Sequence, residues 1–329
     1  MLIVTGGAGF IGSSLIWELN QRTKDRILVV DSLNDQNYKN LVGLSFYDYI
    51  DKDDFLERIG KGDFRKIEAI FHLGACSDTT FTDVRYLIKN NYEYSKTLAV
   101  HSLLHNIRFI YASSAATYGD GSSGFGDDES KLHLLRPLNP YGYSKHLFDL
   151  WAKKEGLLDR IVGLKYFNIF GPNEYHKGNM QSMVLRGFHQ IIETGKIRLF
   201  KSYREGIADG EQKRDFLYVK DAVKMTLFFF ENLGSSGIFN LGSGCAKSWN
   251  ALAESLFSAL KIEPDIEYID MPKEAKGKYQ YFTEADISKI RNAGYIEPIT
   301  SLSDAVSCYV GYLKGGRYIS ETGDSEWLI

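Results

Sequence analysis

Leu2-Ile3-Val4-Thr5-Gly6-Gly7-Ala8-Gly9-Phe10-Ile11-Gly12 stands at the head of the chain, and its order matters more than its glycine content. A short apolar run of strand length ends at Thr5. A glycine turn follows, and a helix is expected from Phe10 to about Gln21. Gly6 allows the tight turn, Gly9 lets backbone approach an anion closely, and Gly12 lets the helix pack against the strand. The unpaired amides and positive dipole end of such a helix favour a pyrophosphate. The spacing is G-x-x-G-x-x-G, not G-x-G-x-x-G. A second apolar run, Ile27-Leu28-Val29-Val30, ends in Asp31, about where a ribose-binding carboxylate belongs. Together these features predict a dinucleotide site.

Strand and helix patterns continue to alternate beyond Asp31. A polar loop containing Asn37 and Lys39 leads to a short strand near Leu44 to Tyr47, and a helix follows from about Asp51. Ala69-Ile70-Phe71-His72 reads as a buried strand, and a long amphipathic helix is expected from Val84 to His105. Arg108 to Ser113 and Ile161 to Tyr166 are further strands. Short β-rich runs separated by helices give an α/β fold, a doubly wound parallel Rossmann sheet. Right-handed crossovers then put the carboxyl end of every strand on one rim, where ligands bind. After Gly171 the order is less regular. Strand and helix signals return at Phe216 to Val219, Ile238 to Leu241 and Ser248 to Leu260. The expected organisation is a dinucleotide-binding domain over residues 1–170, with 215–243 returning to it. A smaller, discontinuous substrate-binding α/β region covers 171–214 and 244–314, and 315–329 form a peripheral tail.

A chain of 329 residues suffices for one large domain or two linked ones. The net charge of −3 gives no case for nucleic acid or anionic membrane as a partner. Three cysteines without a C-x-x-C pair read as reduced thiols of a cytosolic protein, and no metal site is expected. The absence of an 18-residue apolar stretch argues against a membrane span. The chain starts directly with a strand, leaving no room for a signal peptide, so a cytoplasmic location is expected.

Chemistry enters at Asn139-Pro140-Tyr141-Gly142-Tyr143-Ser144-Lys145. Pro140 suits the first turn of a helix, which puts Tyr141 and Lys145 on one face. A nearby ammonium stabilises a phenolate and lowers its pKa, making tyrosine a usable base near neutrality. Tyr92 and Lys96 share the spacing but lie inside the long helix before the strand that ends in Ser113-Ser114; they read as a surface or interface pair. At the end of that strand a hydroxyl, Ser114, can hold a substrate oxygen beside Tyr141.

In this order, G-x-x-G-x-x-G, Ser-Ser-x-x-x-Tyr-Gly (Ser113 to Gly119) and Y-x-x-x-K resemble the extended short-chain dehydrogenase/reductase superfamily. Within it, longer stretches are similar to the ADP-L-glycero-D-manno-heptose 6-epimerases: Leu73 to Ser77, Tyr111 to Gly119, Tyr166-Phe167-Asn168, His176-Lys177-Gly178, Lys213 to Phe216 and Gly277-Lys278-Tyr279-Gln280. That family makes the L,D-heptose precursor of the lipopolysaccharide inner core from its D,D epimer. The resemblance implies that Tyr141 is the base and that Ser114 and Lys145 support it. A bound nicotinamide takes hydride from carbon 6 and returns it to the opposite face, so the cofactor recycles. Lys177 is implied as a second proton-handling group on that face.

The same resemblance puts Phe10, Ile11, Asp31, Ser32, Lys52, Leu73, Gly74, Ala75, Cys76, Ser77, Asn90 and Ile169 around the cofactor. Asn168, Phe200, Lys201, Ser202, Tyr203, Arg214 and Tyr279 fall around the sugar nucleotide, with Arg214 as a diphosphate clamp. Asn179 and Arg186 stand where the family often has serine and histidine. Asp31 alone favours NAD, because it repels a 2′-phosphate; Lys39 and Lys52 offset it, and the resemblance implies NADP. A homo-oligomer, pentameric by family resemblance, is expected. Ala115 and Ala116 occupy the positions of a dehydratase's acid pair, which argues against elimination. A 4-epimerase differs only in the substrate-side stretches. A redox-sensing module without chemistry typically loses the tyrosine or lysine retained here.

Overall fold

The computed structural model describes residues 1–23, 25–64, 66–272 and 279–321. Its centre is a seven-stranded parallel sheet. The strands are β1 (Leu2–Thr5), β2 (Ile27–Asp31), β3 (Asp48–Asp51), β4 (Ala69–His72), β5 (Arg108–Ser114), β6 (Val162–Tyr166) and, after the short strands β7 to β10 described below, β11 (Gly237–Leu241). Their order across the sheet is β11-β6-β5-β4-β1-β2-β3. The chain runs outward from β1 through β2 to β3, then crosses back to β4 on the other side. The rim between β1 and β4 is therefore the switch point at which doubly wound sheets bind ligands.

Both faces of the sheet are covered, which is why its strands read as continuous apolar runs. Leu2 and Val4 of β1 join one buried cluster and Ile3 the opposite one; Ile27 and Val29 of β2 alternate with Leu28 and Val30 in the same way. On the first face lie α1 (Phe10–Arg22) and α7 (Val219–Glu231). On the second are α2 (Lys52–Gly60), α4 (Tyr94–Leu104) and α5 (Pro140–Lys154). Each fully buried Leu, Ile or Val contributes about 1.5–3 kcal/mol.

One local expectation is corrected. The edge strand is Asp48–Asp51, not Leu44 to Tyr47. Leu44 N donates to Leu41 O at 3.1 Å, closing a turn, and Ser45 is held by both ends of the Asn20 amide, at 2.8 and 2.9 Å. Pairing with β2 starts only past this clamp, and only Ile50 of the strand is buried. The helix expected from Val84 to His105 is helical from Val84 to Leu104, but its middle is π-helical: α3 (Val84–Leu87) passes through Ile88–Glu93 into α4.

The later segments form smaller pairs. β7 (Asn168–Phe170) pairs in parallel with β10 (Phe216–Tyr218), β8 (Ile197–Phe200) pairs in parallel with β13 (Ile266–Ile269), and β9 (Lys213–Arg214) pairs antiparallel with β12 (Lys247–Ser248). Around them pack α6 (Met183–Thr194), α8 (Trp249–Leu260), the short α9 (Ser288–Asn292) and α10 (Leu302–Gly315). Residues 322–329 of the expected tail lie outside the described residues. Among the described residues no helix is long and apolar enough to cross a membrane.

Candidate active site

The turn after β1 is fixed from both sides. Gly6 has φ +68°, donates its N–H to Val30 O at 2.8 Å and accepts from Gly9 N at 3.0 Å. A Cβ on Gly6 would meet Gly74 N at 2.6 Å, and one on Gly12 would meet Gly6 O at 2.0 Å. Only glycine lets the turn, the head of α1 and the segment after β4 approach this closely. α1 starts at Phe10 behind an extended Gly9, with no side chain capping its first amides. Phe10 is buried and Ile11 half-buried against the core.

Beside the turn, Asp31 accepts from Ala8 N at 2.9 Å and Ser32 N at 2.8 Å. Burial pushes its carboxyl above the usual range, while these amides hold it down. A cavity of about 230 Å³ opens here, and Gly6, Asp31, Ser32, Lys52, Gly74, Ala75, Cys76 and Asn90 line it together. Lys52 Nζ lies 2.7 Å from Asp53, and Asn90 Nδ2 donates to Tyr86 O at 2.9 Å. Lys39, Leu73, Ser77 and Ile169 are not among the cavity's lining residues. Lys39 is exposed on the 3₁₀ turn Asn37–Leu41, and Ile169 belongs to β7.

The second group of residues stands at the end of β5. Asn139 caps α5, its side-chain oxygen accepting from Gly142 N at 2.7 Å, and Pro140 occupies the first turn. The Tyr141 phenol lies within reach of the Ser114 hydroxyl, and Ser114 Oγ accepts from Ala116 N at 3.1 Å. Lys145 Nζ donates to Ala112 O at 2.8 Å. Burial lowers the Lys145 ammonium to about 8, with Asp149 and Cys76 acting in the opposite direction. The expected lowering of the Tyr141 phenol is not what the structure gives. Burial raises it, Ser114 opposes the rise, and Cys76 adds to it; removing the phenol from water outweighs the neighbouring donor. Tyr92 and Lys96 stand apart from this group, with Lys96 Nζ 5.0 Å from the ring centroids of both Tyr92 and Trp151.

Lys177 lies on the 3₁₀ turn Tyr175–Met180, with Nζ 5.1 Å above the centre of the Phe10 ring. Burial lowers its ammonium and Glu174 counters that shift. The neighbouring His176 is tied to the glycine turn: its Nδ1 is 3.1 Å from Asn40 Nδ2, which also donates to Ala8 O at 2.9 Å. Lys177 therefore stands at the head of α1.

Arg214 is buried among aromatic rings, 5.1 Å from the Tyr279 centroid and 5.7 Å from that of Trp249. It donates to Lys213 O at 2.9 Å and to Gln280 O. Trp249 Nε1 donates to Tyr279 OH at 2.8 Å, and Phe200 meets the Tyr279 ring edge-on at 6.4 Å. Lys201 Nζ and Tyr203 OH converge on Asp270 at 3.5 and 2.7 Å, and Ser202 N donates to Asp209 at 2.6 Å. Asn168 is exposed on β7, while Arg186 donates to the backbone oxygen of Asn179, both exposed. Gly277 and Lys278 lie outside the described residues. Among the described residues no three His, Cys, Asp or Glu side chains gather to hold a metal ion.

A model of the NAD dependent epimerase/dehydratase family matches residues 2–242. The chain belongs to this family. Within it, the chain is 50% identical over 312 residues to a protein of Nitratidesulfovibrio vulgaris (strain DP4) named ADP-L-glycero-D-manno-heptose-6-epimerase, covering 94% of this chain and 97% of the relative. A Fusobacterium nucleatum protein of the same name is 46% identical over 321 residues, with coverage of 94% and 97%. Among solved structures, the Helicobacter pylori ADP-L-glycero-D-manno-heptose-6-epimerase superposes with a TM-score of 0.81 at 28% identity, covering 95% of this chain and 96% of that one.

Several side chains of this epimerase-family site escaped the sequence reading. Asn91, buried in the π-helical stretch, donates to Cys76 O and accepts from Cys76 N, at 3.0 and 2.9 Å. It also donates to Ser144 Oγ at 3.0 Å, and Ser144 Oγ donates to Tyr141 O at 2.7 Å. One amide thus joins the cavity wall to the helix that carries Tyr141. Tyr86 and Tyr94 line the cavity, and Trp249 walls in Arg214. A π turn leaves no periodic signal, and an aromatic residue reads as core until its polar tip finds a partner.

Proposed function

We propose that this chain is an epimerase that inverts carbon 6 of ADP-D-glycero-D-manno-heptose to give ADP-L-glycero-D-manno-heptose. The observation that carries this reading is the Tyr141 phenol beside Ser114, with Lys145 on the same helix face, near a cavity walled by Asp31 and a glycine turn. The choice of sugar rests on the named relatives at 46–50% identity over 94% of the chain.

The residues present fit a nicotinamide dinucleotide. The cradle formed by Gly6 and Gly12 is one that a Cβ would fill, and the uncapped amides of α1 suit a pyrophosphate. Asp31 and Ser32 would hold the adenosine ribose. Lys52, on the same cavity wall, together with Lys39 would receive a 2′-phosphate, and we propose NADP as the partner over NAD. When bound, the cofactor would supply reversible hydride transfer at carbon 6, with return to the other face.

Tyr141 takes the hydroxyl proton as carbon 6 is oxidised. Ser114 donates to the same sugar oxygen and holds it beside the phenol. Lys145, while protonated, favours the phenolate. Lys177, desolvated near the head of α1, handles the proton on the opposite face. Arg214 grips the diphosphate, and Tyr279, Trp249 and Phe200 flank the nucleotide. Asn168, from the end of the 1–170 domain, with Asn179, Arg186 and Lys201 to Tyr203, completes the sugar-nucleotide side, which otherwise draws on the 171–214 and 244–314 segments. On this reading the enzyme works in the cytoplasm, as a homo-oligomer, on a precursor of the lipopolysaccharide core.

The test incubates purified protein with ADP-D-glycero-D-manno-heptose and no added cofactor, following carbon 6 by proton NMR. Conversion to a mixture of both epimers supports the substrate and a recycling cofactor together. Silence with NADP or NAD added, alongside turnover of a UDP-hexose, moves the assignment to a 4-epimerase. Tyr141→Phe is expected to lower kcat by roughly 10²- to 10⁴-fold and to leave cofactor binding intact.

A further inference from the structure

Beneath the end of β5 lies an ion pair, Asp149 and Lys165, 3.4 Å apart, with both side chains fully buried. Asp149 sits on α5 one turn after Lys145, and Lys165 sits on β6. Asp149 Oδ1 accepts from Tyr111 OH at 2.9 Å, and Oδ2 accepts from Ser113 Oγ at 2.7 Å. Lys165 Nζ donates to Thr117 Oγ1 at 2.6 Å and stands 4.5 Å from the Tyr118 ring centroid. Thr117 Oγ1 in turn donates to Ser114 O at 2.8 Å. The pair therefore grips the residue before Ser114, the carbonyl of Ser114 itself and the turn after it.

The backbone leaves room for this arrangement. Gly163 faces Tyr111 across the β5–β6 ladder, and a Cβ there would meet Tyr111 OH at 2.4 Å. The phenol reaches Asp149 only because position 163 has no side chain. Meanwhile Lys145 donates to Ala112 O, so helix and strand are joined at three consecutive residues, Tyr111, Ala112 and Ser113. A buried ion pair is weak evidence for stability in itself; its use here is to fix geometry.

We propose that Asp149 and Lys165 are positioning residues for the reaction, fixing Ser114 Oγ and Lys145 Nζ relative to Tyr141 from beneath the sheet. This rests on the reading of Tyr141, Ser114 and Lys145 as the reacting group. The charged and titratable groups facing Lys145 are Asp149 from its own helix, Cys76 from the segment after β4, and His72 from β4. Of these, Asp149 does most to favour the ammonium. Neutralising it lets Lys145 lose its proton at lower pH.

The experiment compares wild type, Asp149→Asn/Lys165→Met and Ser113→Ala with ADP-D-glycero-D-manno-heptose, measuring kcat and KM across pH. The double variant removes both charges together, so that neither is left buried alone. Its kcat is expected to fall roughly 10- to 100-fold with KM unchanged, and the alkaline limb of its kcat profile moves to lower pH. Ser113→Ala, which buries no new charge, shows a smaller loss of kcat, again without a change in KM. If the double variant does not fold, Ser113→Ala decides alone. Wild-type kcat and pH profile in the folded variants, or a loss confined to KM, overturns the positioning role. Tyr141→Phe separates the layers: an inactive Tyr141→Phe beside a normal double variant sinks this proposal alone, whereas an active one sinks the site reading and the proposal with it.

Discussion

Gly12→Ala puts the cofactor reading under the most direct strain. The added methyl would lie 2.0 Å from Gly6 O and 2.8 Å from Gly6 C, against an ordinary contact that begins at 3.4 Å. More than 1 Å must be found, and neither side yields easily. Gly6 is bound to Val30 O and abuts Gly74, while α1 is anchored by buried Leu15, Ile16 and Leu19. Overpacking of this kind costs about 1–3 kcal/mol of stability, or roughly 1.5–4.5 °C in Tm for a chain of this size. The displaced turn also carries the amides that would meet the pyrophosphate. Losing one charge-assisted bond costs about 1.5–3 kcal/mol, or roughly 10- to 150-fold in affinity. The assay is a fluorescence titration with reduced NADP, with thermal melting on the same preparations. Gly60→Ala is the control: it ends α2 and its Cβ would meet nothing within 4 Å. If Gly12→Ala binds cofactor as wild type does, or if Gly60→Ala loses as much, the turn is not a phosphate cradle.

Other outcomes follow from the same geometry. Arg214→Met, which removes the cation between Tyr279 and Trp249, should raise KM for the nucleotide sugar roughly 10- to 100-fold with little change in kcat; initial-rate kinetics showing the reverse would take Arg214 off the diphosphate. Lys145 titrates near 8, so the ammonium is present below that pH and lost above it. A pH–rate profile should accordingly show kcat falling above about pH 8, and a flat profile into stronger alkali would remove Lys145 from the mechanism. His72 is held down to about 3 from 6.5 by burial. Between those values the unfolded chain binds a proton that the folded one refuses, so stability declines as pH falls, by about 1.4 kcal/mol per pH unit. His72→Gln should flatten that acid limb in denaturant melts by one proton.

The fold was legible because its signals are local. Each buried strand is a short apolar run, and the glycine turn announces the first crossover. What escaped depends on contacts between segments distant in sequence. The edge strand moved to Asp48–Asp51 because Asn20 holds Ser45 from α1, a pairing that no window around Leu44 contains. The π turn follows the same logic, since Asn91 is buried by its bonds to Cys76 and Ser144. At the site, spacing put Tyr141 and Lys145 on one face. It said nothing of how deeply they are buried, and burial decides the direction in which the phenol moves. Arg214 was readable as a cation in a polar loop, whereas its aromatic walls come from Trp249 and Tyr279, each more than thirty residues away.

The two lysines given proton-handling or supporting roles share one physical device. Desolvation lowers both ammonium groups, and each is backed by a buried carboxylate nearby in the chain. Asp149 follows Lys145 by four residues; Glu174 precedes Lys177 by three. Neither carboxylate is left to the lysine alone. Asp149 accepts from Tyr111 and Ser113. Glu174 accepts from Gly171 N, at 3.3 Å, and from Ser182 N and Oγ, both at 2.6 Å. These donors hold the negative charge in place, so each carboxylate opposes the burial of its lysine without a direct ion pair consuming the ammonium. Burial thus eases the loss of a proton from each ammonium, and the nearby carboxylate resists it. On the proposed mechanism the two lysines use that property differently: Lys145 on α5 stays protonated beside Tyr141, whereas Lys177, on the turn before α6, gives up its proton on the opposite face.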